Sequence, residues 1–139
     1  MIDKSDFYHG AAIIRLLEDE RCVSVRKLKS HGYIVNESIF ICLKYTTKGR
    51  SPWGFIVDQQ DVEYCGKMAS EYKKIIFGFI CDGDGICALS WDDVNLLLAG
   101  SSGRIAARRK HNYSYSVNGP AGKLKRKIAI GYWPALVFD

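Results

Sequence analysis

Two short segments of this chain are apolar at every position, and they limit the possible folds more than any other feature. The segments are "IFICL" at 39–43 and "IIFGFIC" at 75–81. Runs of this length without polar alternation are typical of strands that are covered on both faces. We therefore predict a central β-sheet with other elements packed against each of its sides.

The flanking segments supply those elements. Helical spacing of apolar residues predicts helices over 5–20, 59–74 and 91–100, and shorter apolar stretches predict further strands at 22–28, 33–35, 53–58 and 86–89. The predicted class is α/β (α+β), with a central mixed sheet of about four to six strands flanked by helices in αβββαβ order. A basic C-terminal β-hairpin is predicted to follow this core.

Local signals define several boundaries. In the first helix, Phe7, Ala11, Ile14 and Leu17 form the apolar stripe, and Ser5 is the expected N-cap. "KSHG" at 29–32 and "DGDG" at 82–85 are predicted hairpin turns. Ser90 and Asp93 resemble a capping box at the start of the third helix, and Gly100 is its expected C-cap.

The charge distribution divides the chain in two. Residues 1–93 contain 12 Lys/Arg and 14 Asp/Glu, whereas residues 94–138 contain 8 Lys/Arg and no acid. A chain of 139 residues is long enough for one domain. We interpret 1–100 as its α/β core and 101–139 as a basic, β-rich extension. Because a surface that serves only solubility mixes both signs, this end is predicted to bind a polyanion, with nucleic acid as the first candidate.

The candidate nucleic-acid-binding residues fall in two regions. The loop at 46–53 combines hydroxyls and cations suited to phosphate oxygens, with an indole that can stack on a base. The basic end places cations on both sides of the "NGPAG" turn, and tyrosines precede that turn. We expect DNA more than RNA as the ligand. The residues are Lys48, Arg50, Trp53, Arg104, Arg108, Arg109, Lys110, Tyr113, Tyr115, Lys123, Lys125, Arg126 and Lys127.

Other common sites are disfavoured. The five cysteines form no C-x-x-C pair and are interpreted as reduced core residues, and the three histidines are scattered, which argues against zinc. "DGDGIC" lacks the glycine of a calcium loop, and "KGRS" lacks P-loop spacing. No run approaches the roughly 18 apolar residues of a membrane helix, and the first residues lack a signal-peptide pattern. We therefore expect a cytoplasmic protein without membrane contact.

The order helix, three-strand meander, helix, strand over about residues 5–100 resembles the PD-(D/E)xK restriction-endonuclease-like nucleases. The resemblance implies a carboxylate and an acid-x-lysine triplet that hold a divalent metal such as Mg²⁺. Lys44 matches the lysine, but Cys42 stands where the acid belongs. In a second alignment, Asp58 and Gln60 replace the triplet and Glu37 is the upstream acid. The candidate catalytic set that the resemblance implies is Glu37, Lys44, Asp58 and Gln60, with Glu37 and Asp58 as metal ligands and Glu18 or Glu20 assisting.

Three functions remain open at this stage. The leading hypothesis is a nucleic-acid-binding protein on a nuclease-like core, which binds the phosphate backbone through its basic C-terminal region. The second is a Mg²⁺-dependent nuclease, and whether the chain is an enzyme stays undecided. The third is a small interaction or inhibitor protein that docks an acidic protein partner. The apolar tail "GYWPALVF" at 131–138 either serves such a partner or closes the core.

Overall fold

A computed structural model describes residues 1–28 and 32–139 of the chain. The predicted turn at 29–32 thus lies almost wholly outside the described residues. Within these residues, four helices and nine strands make up an α+β fold. In chain order they are α1 (Lys4–Glu18), β1 (Val25–Leu28), β2 (Gly32–Val35), β3 (Ile39–Thr46), β4 (Trp53–Val57), α2 (Gln59–Met68), β5 (Lys74–Cys81), β6 (Ile86–Ser90), α3 (Trp91–Leu98), β7 (Gly103–Arg108), β8 (Ser116–Gly119), β9 (Gly122–Lys123) and α4 (Tyr132–Phe138).

The two apolar segments form adjacent strands in the middle of a mixed sheet, as predicted. This central sheet has the order β1-β2-β3-β5-β6, and only β3 and β5 run parallel to each other. Their register extends from Ile39 opposite Lys74 to Thr46 opposite Cys81. Every residue from Ile39 to Leu43 and from Ile75 to Cys81 is buried, because both faces of these strands are covered.

Different elements cover the two faces of the central sheet. On one face, Ala12 and Leu16 of α1 and Trp133 and Val137 of α4 pack over Ile41 and its neighbours. On the other face, the core is completed by α2, α3 and a second sheet. The predicted central sheet with flanking helices is therefore confirmed, and the second sheet is an additional layer.

The second sheet has the order β4-β7-β8-β9, with all neighbours antiparallel. Its first strand was predicted at 53–58 as part of the meander that follows α1. The strand does form, but it pairs with β7 instead of joining the central sheet, so four strands separate α1 from α2. The αβββαβ order is not confirmed, because four strands lie between α1 and α2 and the fourth belongs to another sheet.

The predicted basic hairpin is replaced by a different set of pairings. β8 and β9 form only a short hairpin at the "NGPAG" turn, and a single bridge joins Tyr115 to Ile128. β8 pairs mainly with β7, which continues the second sheet. The last residues form α4, and Trp133 is 5% exposed, so the apolar tail closes the core.

Several element boundaries differ from the predicted ones. Asp3, and not Ser5, caps α1 through a capping box with Asp6, and α2 ends at Met68 where the prediction extended to 74. The C-cap of α3 is Ala99, in a left-handed conformation, one residue before Gly100. Within the described residues, no helix combines the length and the apolar character needed to cross a membrane.

Candidate nucleic-acid interface

Lys44 lies near the end of β3, where its ammonium meets a carboxylate that the sequence did not indicate. Its Nζ donates a hydrogen bond to Asp61 Oδ2 at 2.6 Å, and both side chains are about one quarter exposed. Burial lowers the pKa of Lys44, but the hydrogen bond and charge of Asp61 outweigh it, so the pKa lies above its ordinary value. Lys44 is therefore a permanent cation with a fixed partner.

The other proposed catalytic residues have structural roles in their own elements. Asp58 is the N-cap of α2: its Oδ1 accepts from the Asp61 backbone N–H at 2.8 Å, and Asp61 accepts from Asp58 N–H in return. This capping lowers the pKa of Asp58, chiefly through the hydrogen bond from the Asp61 backbone. Gln60 follows in the first turn of α2. The carboxylate thus satisfies the helix end, as N-caps do.

Glu37 lies apart from these groups. It occupies the turn before β3 and accepts from Arg26 Nε at 2.9 Å on an exposed surface. With a rise of about 3.3 Å per residue, the seven residues to Lys44 separate the two by roughly 20 Å. No cluster of three or more metal-ligating side chains occurs in the described ranges 1–28 and 32–139. The structure thus places Glu37 and Asp58 in separate elements, the turn before β3 and the N-terminus of α2.

A cavity of about 550 Å³ surrounds the Lys44–Asp61 pair, between the first turns of α1, the β1–β3 strands and α2. His9 Nδ1 and the Tyr33 hydroxyl are hydrogen-bonded there at 2.9 Å. Burial raises the pKa of the Cys65 thiol to about 12 and also raises that of Cys42. Neither thiol is ionised near neutral pH, so neither is an activated nucleophile.

Two of the predicted stacking residues belong to the core. Trp53 is 2% exposed, and its Nε1 donates to the Lys48 carbonyl at 2.9 Å. Tyr115 is fully buried, meets Trp53 edge to face, and donates its hydroxyl proton to Asp84 Oδ2 at 2.8 Å. Neither ring presents a face to a base, because alternation along each strand directs both inward.

Arg109 also has an internal partner. Its guanidinium donates through Nη2 and Nε to both oxygens of Asp84, at 2.7 and 2.9 Å, and lies over the Tyr115 ring. Its side chain is only 12% exposed. The hydrogen bonds from Arg109 hold the pKa of Asp84 below its usual range. Arg109 therefore anchors the loop after β7 to the turn between β5 and β6, and its charge is already neutralised.

Four of the remaining cations of the basic end, Arg108, Lys110, Lys123 and Lys127, line one surface groove. The groove has a volume of about 630 Å³ and lies where the end of β7 meets the start of β8 and the residues after β9. No acidic side chain among the described residues lines it. We call this site the basic groove. Its lining residues are Ser51, Arg108, Arg109, Lys110, Tyr113, Ser114, Ser116, Lys123 and Lys127.

The groove offers groups suited to phosphate and to a base. Arg108, Lys110, Lys123 and Lys127 are exposed and have no ion pair within the described part of the chain. Tyr113 is 68% exposed and precedes β8, so its ring is accessible. These cations come from two segments separated by the "NGPAG" turn, so the fold brings both segments to one groove.

The outer face of the second sheet continues the groove. Along β7, Ile105 and Ala107 point into the core, whereas Arg104 and Arg108 point to solvent. Arg104 lies against Gly54 of β4, whose missing side chain leaves room for the guanidinium. None of the residues in the four strands of this sheet is acidic. The cationic surface therefore extends from the basic groove across β7.

The other predicted cations lie around this surface or away from it. Lys48 and Arg50 are exposed in the loop that contains Ser51, whose Oγ accepts from the Arg109 backbone N–H at 3.2 Å. Lys125 is exposed beside α3, and Arg126 forms an ion pair with Asp93 of that helix. The charge of Arg126 is thus partly neutralised by an internal carboxylate, as the charge of Arg109 is by Asp84.

Sequence reasoning missed two serine hydroxyls of the groove and the two acidic partners. Ser114 was not identified as a lining residue, nor was Ser116, although the strand alternation that buries Tyr115 and Val117 places Ser116 on the outer face. Asp61 and Asp84 lie 17 and 25 residues from their partners. No local pattern relates residues at such separations, so those pairs carried no sequence signal.

The chain matches no protein-family model, and it has no significant match among curated proteins or solved structures.

Proposed function

We propose that this protein binds nucleic acid through the basic groove, with its cations on backbone phosphates. The observation that carries the proposal is the convergence of four unpaired cations on a groove without a carboxylate. Lys and Arg side chains supply most of the affinity for phosphate backbones. Tyr113 adds an accessible ring on which one base can stack, worth about 1–3 kcal/mol.

The proposal covers binding and not cleavage. The nuclease-like core was suggested by element order alone. Of its expected metal ligands, Glu37 pairs with Arg26 and Asp58 caps α2. We expect the protein to bind DNA more tightly than RNA, so the affinity for RNA is measured as the comparison. Because serines and backbone groups of the groove contact phosphate without reading bases, we expect weak sequence preference.

The test is a fluorescence-anisotropy titration with labelled single- and double-stranded DNA and RNA. The groove variant is Arg108→Ala/Lys123→Ala/Lys127→Ala. Its control is Lys27→Ala/Lys67→Ala/Lys73→Ala, which removes the same charge from exposed positions outside the groove. We expect the groove variant to lose at least about tenfold in affinity, or roughly 1.4 kcal/mol, while the control stays within about threefold of the unmodified chain.

Two results would contradict the proposal. An equal loss of affinity in the groove variant and the control would mean that net charge, and not the groove, determines binding. Absence of binding to all four ligands at low salt would redirect the search to an acidic protein partner, which the same cationic surface can attract. Gel analysis of the titrated samples with Mg²⁺ present checks separately for cleavage.

A further inference from the structure

Helix α1 carries apolar side chains on two opposite faces. Ala12 and Leu16 are fully buried against the central sheet. Phe7, Ile14 and Leu17, which belong to the apolar stripe predicted from helical spacing, are 67%, 58% and 60% exposed. A surface helix with one partner normally has polar residues on its outer face. This second apolar face therefore has no partner within the described chain.

The exposed stripe formed by Phe7, Ile14 and Leu17 has the shape of a helix-packing surface. Phe7 and Ile14 are two helical turns apart and lie on one line along the helix. Gly10 and Ala11 lie between them, and a Cβ built on Gly10 meets nothing within 4 Å. Small residues at this position allow a second helix to approach closely. The exposed side chains of Met1 and Ile2 extend the apolar surface beyond the first turn.

The charges at the two ends of the stripe are complementary. Lys4 begins α1 and Glu18 ends it, and at 100° per residue both fall on the same side of the Phe7–Ile14 line. Neither forms an ion pair within ranges 1–28 and 32–139. Two copies of α1 packed antiparallel about a two-fold axis place each Lys4 beside the Glu18 of the other copy. The same register sets Phe7 against Ile14, with Gly10 and Ala11 at the centre.

We propose that the chain associates with a second copy of itself through this antiparallel α1 pairing. A two-fold contact requires a self-complementary patch, and the stripe meets that requirement in shape and in charge. The helix is about 22 Å long, so a single helix pair buries less than the roughly 1,000 Å² of a stable interface. The dimer is therefore weak and depends on concentration. The basic groove stays free, since α1 and the second sheet cover opposite faces of the central sheet.

Sedimentation equilibrium of the full chain over a wide concentration range tests the pairing. We expect the average mass to rise from that of one chain toward that of two. Phe7→Glu/Ile14→Glu should remain at the mass of one chain, because four like charges would face each other across the axis. Leu96→Glu is the matched control, since Leu96 is 68% exposed on α3 and lies outside the stripe. It should associate like the unmodified chain.

A charge exchange tests the antiparallel register. Lys4→Glu should weaken association roughly three- to tenfold, and Lys4→Glu/Glu18→Lys should restore it, because each cation then meets a carboxylate again. A single-chain mass at every concentration would overturn the proposal. Association that survives Phe7→Glu/Ile14→Glu, or a charge loss without rescue by the exchange, would overturn it as well. These readouts do not involve nucleic acid, so they are independent of the proposed function.

Discussion

Individual cations in this chain differ in whether they are available to an external anion, although nothing in the sequence distinguishes them. Arg109 and Arg108 are neighbours, yet Arg109 is held by Asp84 and Tyr115 while Arg108 is exposed on the groove. The difference follows from strand alternation and from which acid lies nearby after folding. Charge counts therefore overstate the number of cations available for phosphate. For the proposed phosphate binding, the cations without an internal partner are the ones that count.

The Arg109–Asp84 contact leads to a prediction about stability and pH. Asp84→Asn should lower the free energy of unfolding by about 2 kcal/mol at neutral pH, since it leaves a mostly buried guanidinium poorly paired. The pKa of Asp84 is depressed in the folded state, so the stabilisation is present above its unfolded pKa of about 3.9 and is lost as the pH falls through the lower folded value. Urea unfolding at neutral and acid pH measures both effects.

Glu37→Gln provides the control for this prediction, because the Arg26–Glu37 pair is exposed on both sides. It should change the free energy of unfolding by no more than about 1 kcal/mol. Two results would contradict the role assigned to Asp84. One is an equal loss of unfolding free energy in both variants, and the other is a loss in Asp84→Asn that is the same at low pH as at neutral pH.

At the scale of elements, helix ends and strand neighbours determine where the predicted catalytic residues lie. Asp58 and Gln60 belong to the start of α2, and Glu37 to the turn before β3. The element order resembled that of a nuclease, but order alone does not bring side chains to one point. β4, which was expected beside β3, pairs with β7 in another sheet. The candidate metal ligands make structural contacts: Asp58 caps α2, and Glu37 pairs with Arg26.

The packing of α4 depends on a glycine in β5. A Cβ built on Gly78 lies 2.8 Å from Leu43 Cδ2 and 3.0 Å from the Trp133 ring. Gly78→Ala should therefore lower the free energy of unfolding by about 1–3 kcal/mol, because the added methyl group forces Trp133 away from the sheet. Chemical denaturation followed by tryptophan fluorescence measures this change.

Gly66→Ala in α2 is the matched substitution. Nothing lies within 4 Å of the added Cβ, and alanine is the better helix former, so we expect a gain of up to about 1 kcal/mol. If both substitutions had the same sign, the contact between Gly78 and α4 would not explain the cost.

At the scale of the whole molecule, charge and apolar surface are segregated. The basic groove and the outer face of β7 lie on one side of the central sheet, and the exposed stripe of α1 lies on the other. In this arrangement the proposed nucleic-acid interface and the proposed α1 pairing do not overlap. Two linked grooves would raise the effective concentration at the second site.

The proposed interface predicts the salt dependence of binding. With four unpaired cations on phosphates, a plot of log affinity against log salt should have a slope of about −3 to −4 for duplex DNA. The variant with Arg108, Lys123 and Lys127 replaced by alanine should have a slope near −1. Anisotropy titrations at several salt concentrations supply both values. A slope near zero in the unmodified chain would show that phosphate contacts do not drive the binding.

The sequence by itself determined the central sheet, because burial on both faces requires apolar residues at every position, and that requirement is visible locally. It also indicated the positions of three helices, the turn at 82–85 and the separation of charge along the chain. Tertiary structure alone decided that β4 leaves the meander, that the stripe of α1 faces outward, and that Asp61 and Asp84 hold Lys44 and Arg109. Each of these depends on contacts between residues far apart in sequence. Local patterns report which residues are apolar or charged, but only the assembled fold selects the partners that each one meets.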